Sequence, residues 1–121
     1  MNKNPIGIFD SGIGGLTVVK AVRKILPNED IIYLGDTARL PYGTKSTDAI
    51  IQFSVEDTKF LVDRGAKYIV IACYSSASVA LDIIQKKFSV PVVGVIMPGV
   101  RKAAKITETG KIGVIGTSLT I

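Results

Sequence analysis

Residues 69–76 form the run Ile69-Val70-Ile71-Ala72-Cys73-Tyr74-Ser75-Ser76, in which an apolar segment gives way to small polar residues. The apolar part lacks the alternation of a half-exposed strand, which is typical of a strand covered on both faces in a parallel sheet. The residues after Cys73 predict the start of a helix. The run therefore predicts a strand followed directly by a helix, the repeating unit of an α/β fold.

Strand-like runs alternate with helix-period segments along the whole chain. We predict five strands, at residues 5–9, 31–34, 68–73, 90–96 and 111–116. The predicted helices cover residues 15–26, Ser46 or Thr47 to about Asp63, residues 75–88, and Pro98 to about Lys105. This order predicts a doubly wound three-layer α/β sandwich of the flavodoxin-like type, with a mostly parallel sheet, as a single domain over residues 1–121.

The composition agrees with a packed domain. The chain is 47% apolar and 21% charged, which argues against disorder. Its net charge is +5, but the basic residues are scattered and no aromatic residues lie among them, which favours solvated helix faces over a nucleic-acid surface. Neither a signal peptide nor an apolar stretch of membrane-spanning length is present. We therefore expect a cytoplasmic protein without a membrane or nucleic-acid partner.

Cys73 is the only cysteine, and the chain contains no histidine. A single cysteine excludes an internal disulfide and does not make a zinc site, so no metal is expected. At a strand-to-helix junction a thiol faces unpaired N–H groups and the positive end of a helix dipole, which favour the thiolate. Proton transfer near neutral pH would then fall to Cys73 or to an unusual carboxylate. An inert, buried cysteine is the alternative.

Small polar residues follow four of the five predicted strands, at residues 10–12, 35–37, 73–75 and 116–118. Because ligands bind at the carboxyl ends of parallel strands, these segments predict one shared site. Asp10 could cap the turn after its strand, bind an ammonium group or orient the thiol. A hydrolase that works through a phosphorylated aspartate would want a second aspartate two residues on, where Gly12 stands.

Two glycine-containing segments accompany this predicted site. Residues 12–15 read Gly-Ile-Gly-Gly and open the first helix, but Thr17 stands where a dinucleotide fingerprint has its third glycine. The turn is therefore either a tight strand-to-helix connection or a cradle whose N–H groups hold a substrate carboxylate. Tyr42, between Pro41 and Gly43, either fills a loop or forms the wall of a small pocket.

Four stretches carry a specific family resemblance. They are residues 6–18 (Ile-Gly-Ile-Phe-Asp-Ser-Gly-Ile-Gly-Gly-Leu-Thr-Val), 33–43 (Tyr-Leu-Gly-Asp-Thr-Ala-Arg-Leu-Pro-Tyr-Gly), 93–96 (Val-Gly-Val-Ile) and 112–117 (Ile-Gly-Val-Ile-Gly-Thr). Together they resemble the cofactor-independent glutamate racemases of bacterial cell-wall synthesis, within the aspartate/glutamate racemase superfamily. The resemblance implies an isomerase that converts L-glutamate to D-glutamate for peptidoglycan synthesis without a cofactor.

The resemblance also implies roles for individual residues. In the family, two cysteines on opposite faces of the substrate exchange the Cα proton, and Cys73 matches the first of them. Asp10 is predicted to act with it in catalysis. The implied substrate-binding positions are Asp10, Ser11, Pro41, Tyr42, Gly43, Tyr74, Ser75, Thr117 and Thr120.

Three features depart from the family pattern. The motif at the first cysteine is usually Cys-Asn-Thr-Ala-Ser, so Tyr74 replaces an asparagine that has two donors. Met97 stands where glutamate is common. The second domain and its Cys-Thr-His motif are not found in the sequence. We therefore expect a poorly active half that needs the missing domain or a homodimer partner. The alternative is a degenerate, non-catalytic domain that binds a small acidic ligand or a partner protein.

Overall fold

The computed structural model describes residues 2–121, and a parallel sheet forms its centre. The strands are β1 (Ile6–Asp10), β2 (Ile31–Gly35), β3 (Tyr68–Ile71) and β4 (Val92–Gly94). All pairings are parallel, and the strand order is β2-β1-β3-β4. Ile8 of the central strand pairs with Tyr33 on one side and Val70 on the other. This order follows the flavodoxin-like pattern, so the predicted doubly wound α/β fold is confirmed.

The main helices are α1 (Leu16–Ile25), α2 (Thr47–Asp63), α3 (Tyr74–Lys87) and α4 (Ile96–Ile106), with short 3₁₀ turns at Thr37–Arg39 and Tyr42–Thr44. The predicted start of α2 is confirmed, because Ser46 Oγ accepts a hydrogen bond from the Ala49 N–H at 3.2 Å. The helix gives way to Gly65, whose φ of 85° lies in the left-handed region that glycine adopts without strain. Within residues 2–121, none of the helices has the length and apolar composition needed to span a bilayer.

Alternate residues of the central strands point to opposite faces of the sheet. Ile6 and Ile8 face α1, where they pack against Val18, Val19 and Val22. Phe9 of β1 points to the other face and packs into the larger core, whose β3, α2 and α3 members include Ile69, Ile71, Leu61, Ala80 and Ile84. Helices therefore cover both faces of the sheet, which confirms the predicted three-layer sandwich.

A groove of about 500 Å³ remains beside α1 on its face of the sheet. Its apolar lining comes mainly from Ile6, Val22, Leu26, Tyr68 and Val70. Ile6 and Tyr68 are the first residues of their strands, so the groove lies toward the amino ends of the strands. The groove is therefore separate from the carboxyl-end edge where the predicted site residues fall.

The predicted fifth strand at residues 111–116 is wrong. These residues are exposed and form no strand, and Ile115 is 98% exposed. A strand needs a partner edge and cover for its apolar side chains. The neighbouring edge strand β4 offers only three residues. The apolar composition of 111–116 is therefore not sufficient for strand pairing.

Two element boundaries near the predicted site also differ from the prediction. Strand β3 ends at Ile71, so Cys73 is the residue that precedes α3 rather than the last residue of the strand. Strand β4 is shorter than the predicted 90–96, because Ile96 already begins α4. Pro98 consequently lies in the first helical turn, where its missing N–H has no helical partner to lose.

Candidate active site

The carboxyl ends of β1 and β3 lie side by side at the centre of the sheet. The strand order reverses at this point, with β2 on one side of β1 and β3 on the other. In doubly wound sheets such a reversal opens a crevice for ligands. The Ala72 N–H donates to the Phe9 oxygen at 2.8 Å, which keeps the two chain segments together as far as Asp10 and Cys73. The structure therefore brings both predicted catalytic residues to the point of the sheet where such a crevice forms, and this place is called the crevice below.

Cys73 sits at the amino-terminal end of α3 with its side chain 5% exposed. Its carbonyl oxygen accepts the Ala77 N–H at 2.9 Å, and its side chain forms no capping hydrogen bond. The side chain packs with Tyr42 and Ile50. A negative charge at this end of a helix is favoured by the helix dipole. Such burial suits either an inert core cysteine or a base shielded from water.

Three hydroxyl groups gather beside the first turn of α3. Ser75 Oγ lies 3.3 Å from Thr117 Oγ1, which in turn lies 3.0 Å from Thr120 Oγ1. The Thr120 N–H closes a turn by donating to the Thr117 oxygen at 2.9 Å. Leu119, within that turn, packs against the cluster that contains Cys73. These three predicted residues are thus brought together as a set of hydroxyl donors that could bind a carboxylate.

The 3₁₀ turn at Tyr42–Thr44 forms another wall of the crevice. Gly43 lies so close to the hydroxyl cluster that a Cβ added there would be 2.6 Å from Thr117 Cγ2. Tyr42 is buried and packs against Cys73, so it both fills the loop and contacts the thiol residue. Pro41, immediately before it, is exposed. A side chain at position 43 would therefore displace Thr117, so the close approach of the two segments favours glycine there.

Asp10 holds the turn that leads into α1. Its Oδ2 accepts the N–H of Gly15 at 2.9 Å and that of Gly12 at 3.3 Å. A Cβ at Gly15 would lie 2.6 Å from Asp10 Cβ, so the turn requires glycine there. Asp10 thus has the turn-capping role that the sequence left open. Two of the N–H groups that the sequence offered as a carboxylate cradle are bonded to Asp10 instead.

Tyr33, on β2, is a residue of this crevice that the sequence analysis did not single out. Its Oη donates to the Gly12 oxygen at 2.7 Å and so fixes the same turn. Burial, followed by the negative charges of Asp10 and Cys73, raises the pKa of Tyr33, which keeps the phenol protonated as a donor. The signal available in the sequence was a polar-tipped aromatic residue two positions before the end of a strand.

A group of charged side chains surrounds the buried Tyr42 phenol and was also missed. Arg39 Nε donates to Asp36 Oδ2 at 2.7 Å, Arg39 Nη2 donates to Asp57 Oδ1 at 3.3 Å, and Arg39 Nη1 pairs with Glu56. Tyr42 Oη is hydrogen-bonded to Asp36 and lies 2.7 Å from Asp57 Oδ2. These groups lie behind Tyr42 and form one connected network.

The sequence signal for this network is the position of Asp57 on α2. Asp57 shares the buried face of α2 with Ile50, Ser54 and Leu61, at helical spacing. A carboxylate on such a face needs a partner in the core.

Across residues 2–121, the structure assembles no group of three or more histidine, cysteine, aspartate or glutamate side chains suited to a metal ion.

The remaining predicted residues lie at the edge of the crevice. Ser11 follows Asp10 and is half-buried. Tyr74, the first residue of α3, is 53% exposed, and Met97 near the start of α4 is similarly exposed. No further contact ties Ser11, Pro41 or Tyr74 to the hydroxyl cluster among the described residues, so their binding roles stay predictions.

Comparison with known proteins places this chain in a family. The sequence profile described as Asp/Glu/Hydantoin racemase matches residues 16–120. Glutamate racemase of Geobacter metallireducens is 56% identical over 96% of this chain and 43% of its own length. The chain thus spans a little under half the length of the curated relatives it matches.

Solved structures are similar to the same part of the chain. Glutamate racemase from Aquifex pyrophilus superposes with a TM-score of 0.94 at 54% identity, covering 96% of this chain and 46% of that one. The enzyme from Francisella tularensis, solved in complex with D-glutamate, gives 0.88 at 49% identity over 99% of this chain and 45% of that one. The matched profile covers most of the sequence, and the chain belongs to the Asp/Glu/Hydantoin racemase family.

Proposed function

We propose that this chain supplies one half of the proton-transfer site of a glutamate racemase, with Cys73 as the acid–base group for one face of the substrate. The observation that carries the proposal is the position of Cys73 directly before α3, at the edge of the sheet where β1 ends in Asp10 and two residues ahead of Ser75, whose Oγ lies 3.3 Å from Thr117 Oγ1. Relatives of the same family that carry the name glutamate racemase support glutamate as the substrate.

The proposed step moves one proton. The Cys73 thiolate takes the Cα proton of glutamate, so that the Cα–H bond breaks, an S–H bond forms, and the electron pair remains on Cα. The substrate carboxylate takes up part of this charge, and hydroxyl donors aimed at it stabilise the carbanion. A proton delivered to the other face of Cα then gives the mirror-image product. Run backwards, the Cys73 thiol returns the proton that it holds.

The surrounding residues have complementary binding roles in this proposal. Ser75, Thr117 and Thr120 donate hydrogen bonds to a substrate carboxylate. Asp10 uses Oδ2 to hold its turn, which leaves Oδ1 to accept a hydrogen bond from the substrate ammonium group. The remaining predicted contacts extend this site along its edge: Ser11, Pro41, Tyr42, Gly43 and Tyr74.

The second face of the substrate needs a group from outside these 121 residues. The chain holds one cysteine and no histidine, so no second thiol or imidazole is available in it. We propose that a second domain supplies this group, with a second copy of the chain in a homodimer as the other source. D-glutamate made in this way would serve peptidoglycan synthesis in the cytoplasm.

The test joins this chain to the carboxyl-terminal half of the Aquifex pyrophilus relative and measures D-glutamate formed from L-glutamate. We expect racemisation by the joined protein, negligible racemisation by the chain alone, and a loss of at least about 100-fold on Cys73→Ala. Ser89→Ala, at an exposed position after α3, is the matched control. Undiminished racemisation by the Cys73→Ala protein overturns the proposal.

A second arm separates the enzyme from a degenerate binding domain. Tyr74→Asn restores the two amide donors that the family motif has at this position. Racemisation that appears only with Tyr74→Asn would mean that this chain has lost activity through Tyr74. A joined protein that binds glutamate but does not racemise it, with or without Tyr74→Asn, supports the non-catalytic alternative.

A further inference from the structure

The hydroxyl of Tyr42 lies at hydrogen-bond distance from two carboxyl groups but has only one proton to donate. Tyr42 Oη is hydrogen-bonded to the carboxylate of Asp36 and lies 2.7 Å from Asp57 Oδ2. A phenol has one proton and can donate it to one acceptor. If both carboxylates were ionised, the second would face an oxygen lone pair at hydrogen-bond distance. One of the two carboxyl groups must therefore supply a proton of its own.

The charge balance points the same way. Among residues 2–121, Arg39 is the single cation in contact with three carboxyl groups, those of Asp36, Glu56 and Asp57. With all three ionised, the group carries two uncompensated negative charges in a partly buried place. Such a net charge is costly, and the group relieves it by taking up a proton.

Burial decides which carboxyl group takes the proton. The side chain of Asp57 is 4% exposed, against 11% for Asp36 and 48% for Glu56. Asp57 also has the longest of the three contacts with the guanidinium, at 3.3 Å, whereas Asp36 has one of 2.7 Å. The carboxyl group with least water and the weakest ion pair is the one that is easiest to neutralise.

We propose that Asp57 is a positioning residue that holds its carboxyl proton well above the pH at which an exposed aspartate loses it and donates it to Tyr42 Oη, so that the phenol donates in turn to Asp36. The chain of donors runs from Asp57 through Tyr42 to the ionised Asp36, which Arg39 holds by its Nε. Each oxygen in this series of hydrogen bonds then has a matching partner, and the net negative charge of the group falls from two to one.

The electrostatics of the individual groups support this assignment. Burial raises the pKa of Asp57 to about 7, the hydrogen bond with Tyr42 and the charge of Arg39 oppose the rise, and the charge of Asp36 adds to it. Burial and the two carboxylates raise the pKa of Tyr42 as well, so the phenol keeps its proton. The groups that face Asp57 are Asp36, Arg39 and Tyr42, with Glu56 beside it on the same Arg39.

Asp57 reaches the crevice through its contact with Tyr42. Tyr42 packs against Cys73, and the next residue, Gly43, lies against Thr117. Loss of the Asp57 proton would place a charged carboxylate against the phenol oxygen and push the 42–44 turn away from both. The link to substrate rests on the proposed function, whereas the location of the proton is a property of this network alone.

Carbon-13 NMR of the aspartate carboxyl carbons, assigned through the backbone in the unchanged chain, locates the proton directly. We expect the Asp57 carboxyl signal to titrate near neutral pH, well above the value of about 3.9 for an aspartate in an unfolded chain. The Asp57→Asn chain should lack the neutral transition. An Asp57 signal that titrates below about pH 5, or a neutral transition that belongs to Asp36, overturns the proposal.

The positioning role has its own readout, the rate at which iodoacetamide labels Cys73. The labelling rate of the unchanged chain is divided by that of the Asp57→Asn chain, in which a neutral donor stays beside Tyr42 at every pH. Thiol ionisation affects both chains, so it cancels in this ratio. We expect equal rates at about pH 6 and several-fold faster labelling of the unchanged chain at about pH 9. Asp82→Asn is the charge-matched control and should follow the unchanged chain.

A labelling ratio that stays constant from about pH 5 to about pH 9 contradicts the positioning role. Neither the titration nor the labelling involves turnover. A joined protein that fails to racemise glutamate while both readouts behave as expected would therefore contradict the proposed function and leave the role of Asp57 intact.

Discussion

Ser75 Oγ lies 3.3 Å from Thr117 Oγ1, which joins the first turn of α3 to a segment 42 residues later in the chain. The same Thr117 is the residue that Gly43 approaches most closely. Three separate parts of the sequence therefore meet beside Cys73, and each can be disturbed independently.

Gly43→Ala tests the contact with Thr117. A Cβ at this position would lie 2.6 Å from Thr117 Cγ2, so we expect the substitution to lower the free energy of unfolding by about 1–3 kcal/mol. Thr117→Ser removes the Cγ2 methyl group and should recover most of that loss in the double variant. Urea unfolding of the two single variants and the double variant measures the coupling. Strict additivity would contradict the contact.

Gly65→Ala and Gly99→Ala form a matched pair of backbone tests. Gly65 has a φ of 85°, which alanine adopts only with strain, so we expect a loss of about 1 kcal/mol. Gly99 lies inside α4 with no atom near an added Cβ, so alanine there should stabilise the chain by about 1 kcal/mol. Thermal unfolding monitored by circular dichroism shows whether each substitution lowers or raises the stability of the chain. Equal effects at the two positions would contradict the positive φ of Gly65 or the helical conformation of Gly99.

Ser76→Ala is expected to stabilise the fold. Ser76 Oγ is buried and finds no hydrogen-bond partner within the described part of the chain, residues 2–121. Removing a buried, unsatisfied hydroxyl should raise the free energy of unfolding by about 1 kcal/mol. Ser54→Ala is the control, because Ser54 Oγ donates to the Ile50 oxygen at 2.6 Å. The Ser76 variant should be the more stable of the two in urea, and a loss of stability at Ser76 would reveal a partner for its hydroxyl.

The stability of the chain should fall as the pH rises from about 5 to about 7. The pKa of Asp57 is raised to about 7 in the fold, above the value of about 3.9 in an unfolded chain, so only the folded state holds this proton in between. The free energy of unfolding then declines by up to about 1.4 kcal/mol per pH unit. The hydrogen bond from Arg39 lowers the pKa of Glu56, so this group makes stability rise with pH. That rise is confined to more acidic pH than the decline caused by Asp57.

Urea unfolding at a series of pH values checks this slope, with Asp57→Asn and Asp82→Asn compared side by side. The first variant should lose the decline and the second should keep it. A decline of equal steepness in both variants would assign the effect to another group.

The sequence predicted much of the fold because its signals are local. The cap at Ser46, the stop at Gly65 and the first four apolar strand runs each depend on neighbouring residues, and each is present in the structure. The strand at 111–116 failed because strand pairing depends on a distant partner edge, which apolar composition does not report. β4 supplies only a short one.

The candidate site was predicted in the same uneven way. Asp10, Cys73 and Ser75 follow strand ends, so the sheet topology brings them to one edge. The network around Tyr42 was missed, since its members come from the two 3₁₀ turns, the residue that precedes the first of them, and α2, and share no motif. Asp57 gave the one usable signal, a carboxylate on a buried helix face.

The central claim, that Cys73 serves one face of glutamate while another group serves the opposite face, is tested most directly by running the joined protein in deuterated water. L-glutamate is the substrate, and the mass of both enantiomers is followed at low conversion. The account predicts that each new D-glutamate carries one deuteron on Cα while the recovered L-glutamate carries none, because the proton taken by one group is not the one delivered by the other. D-glutamate that retains the original Cα proton would contradict it.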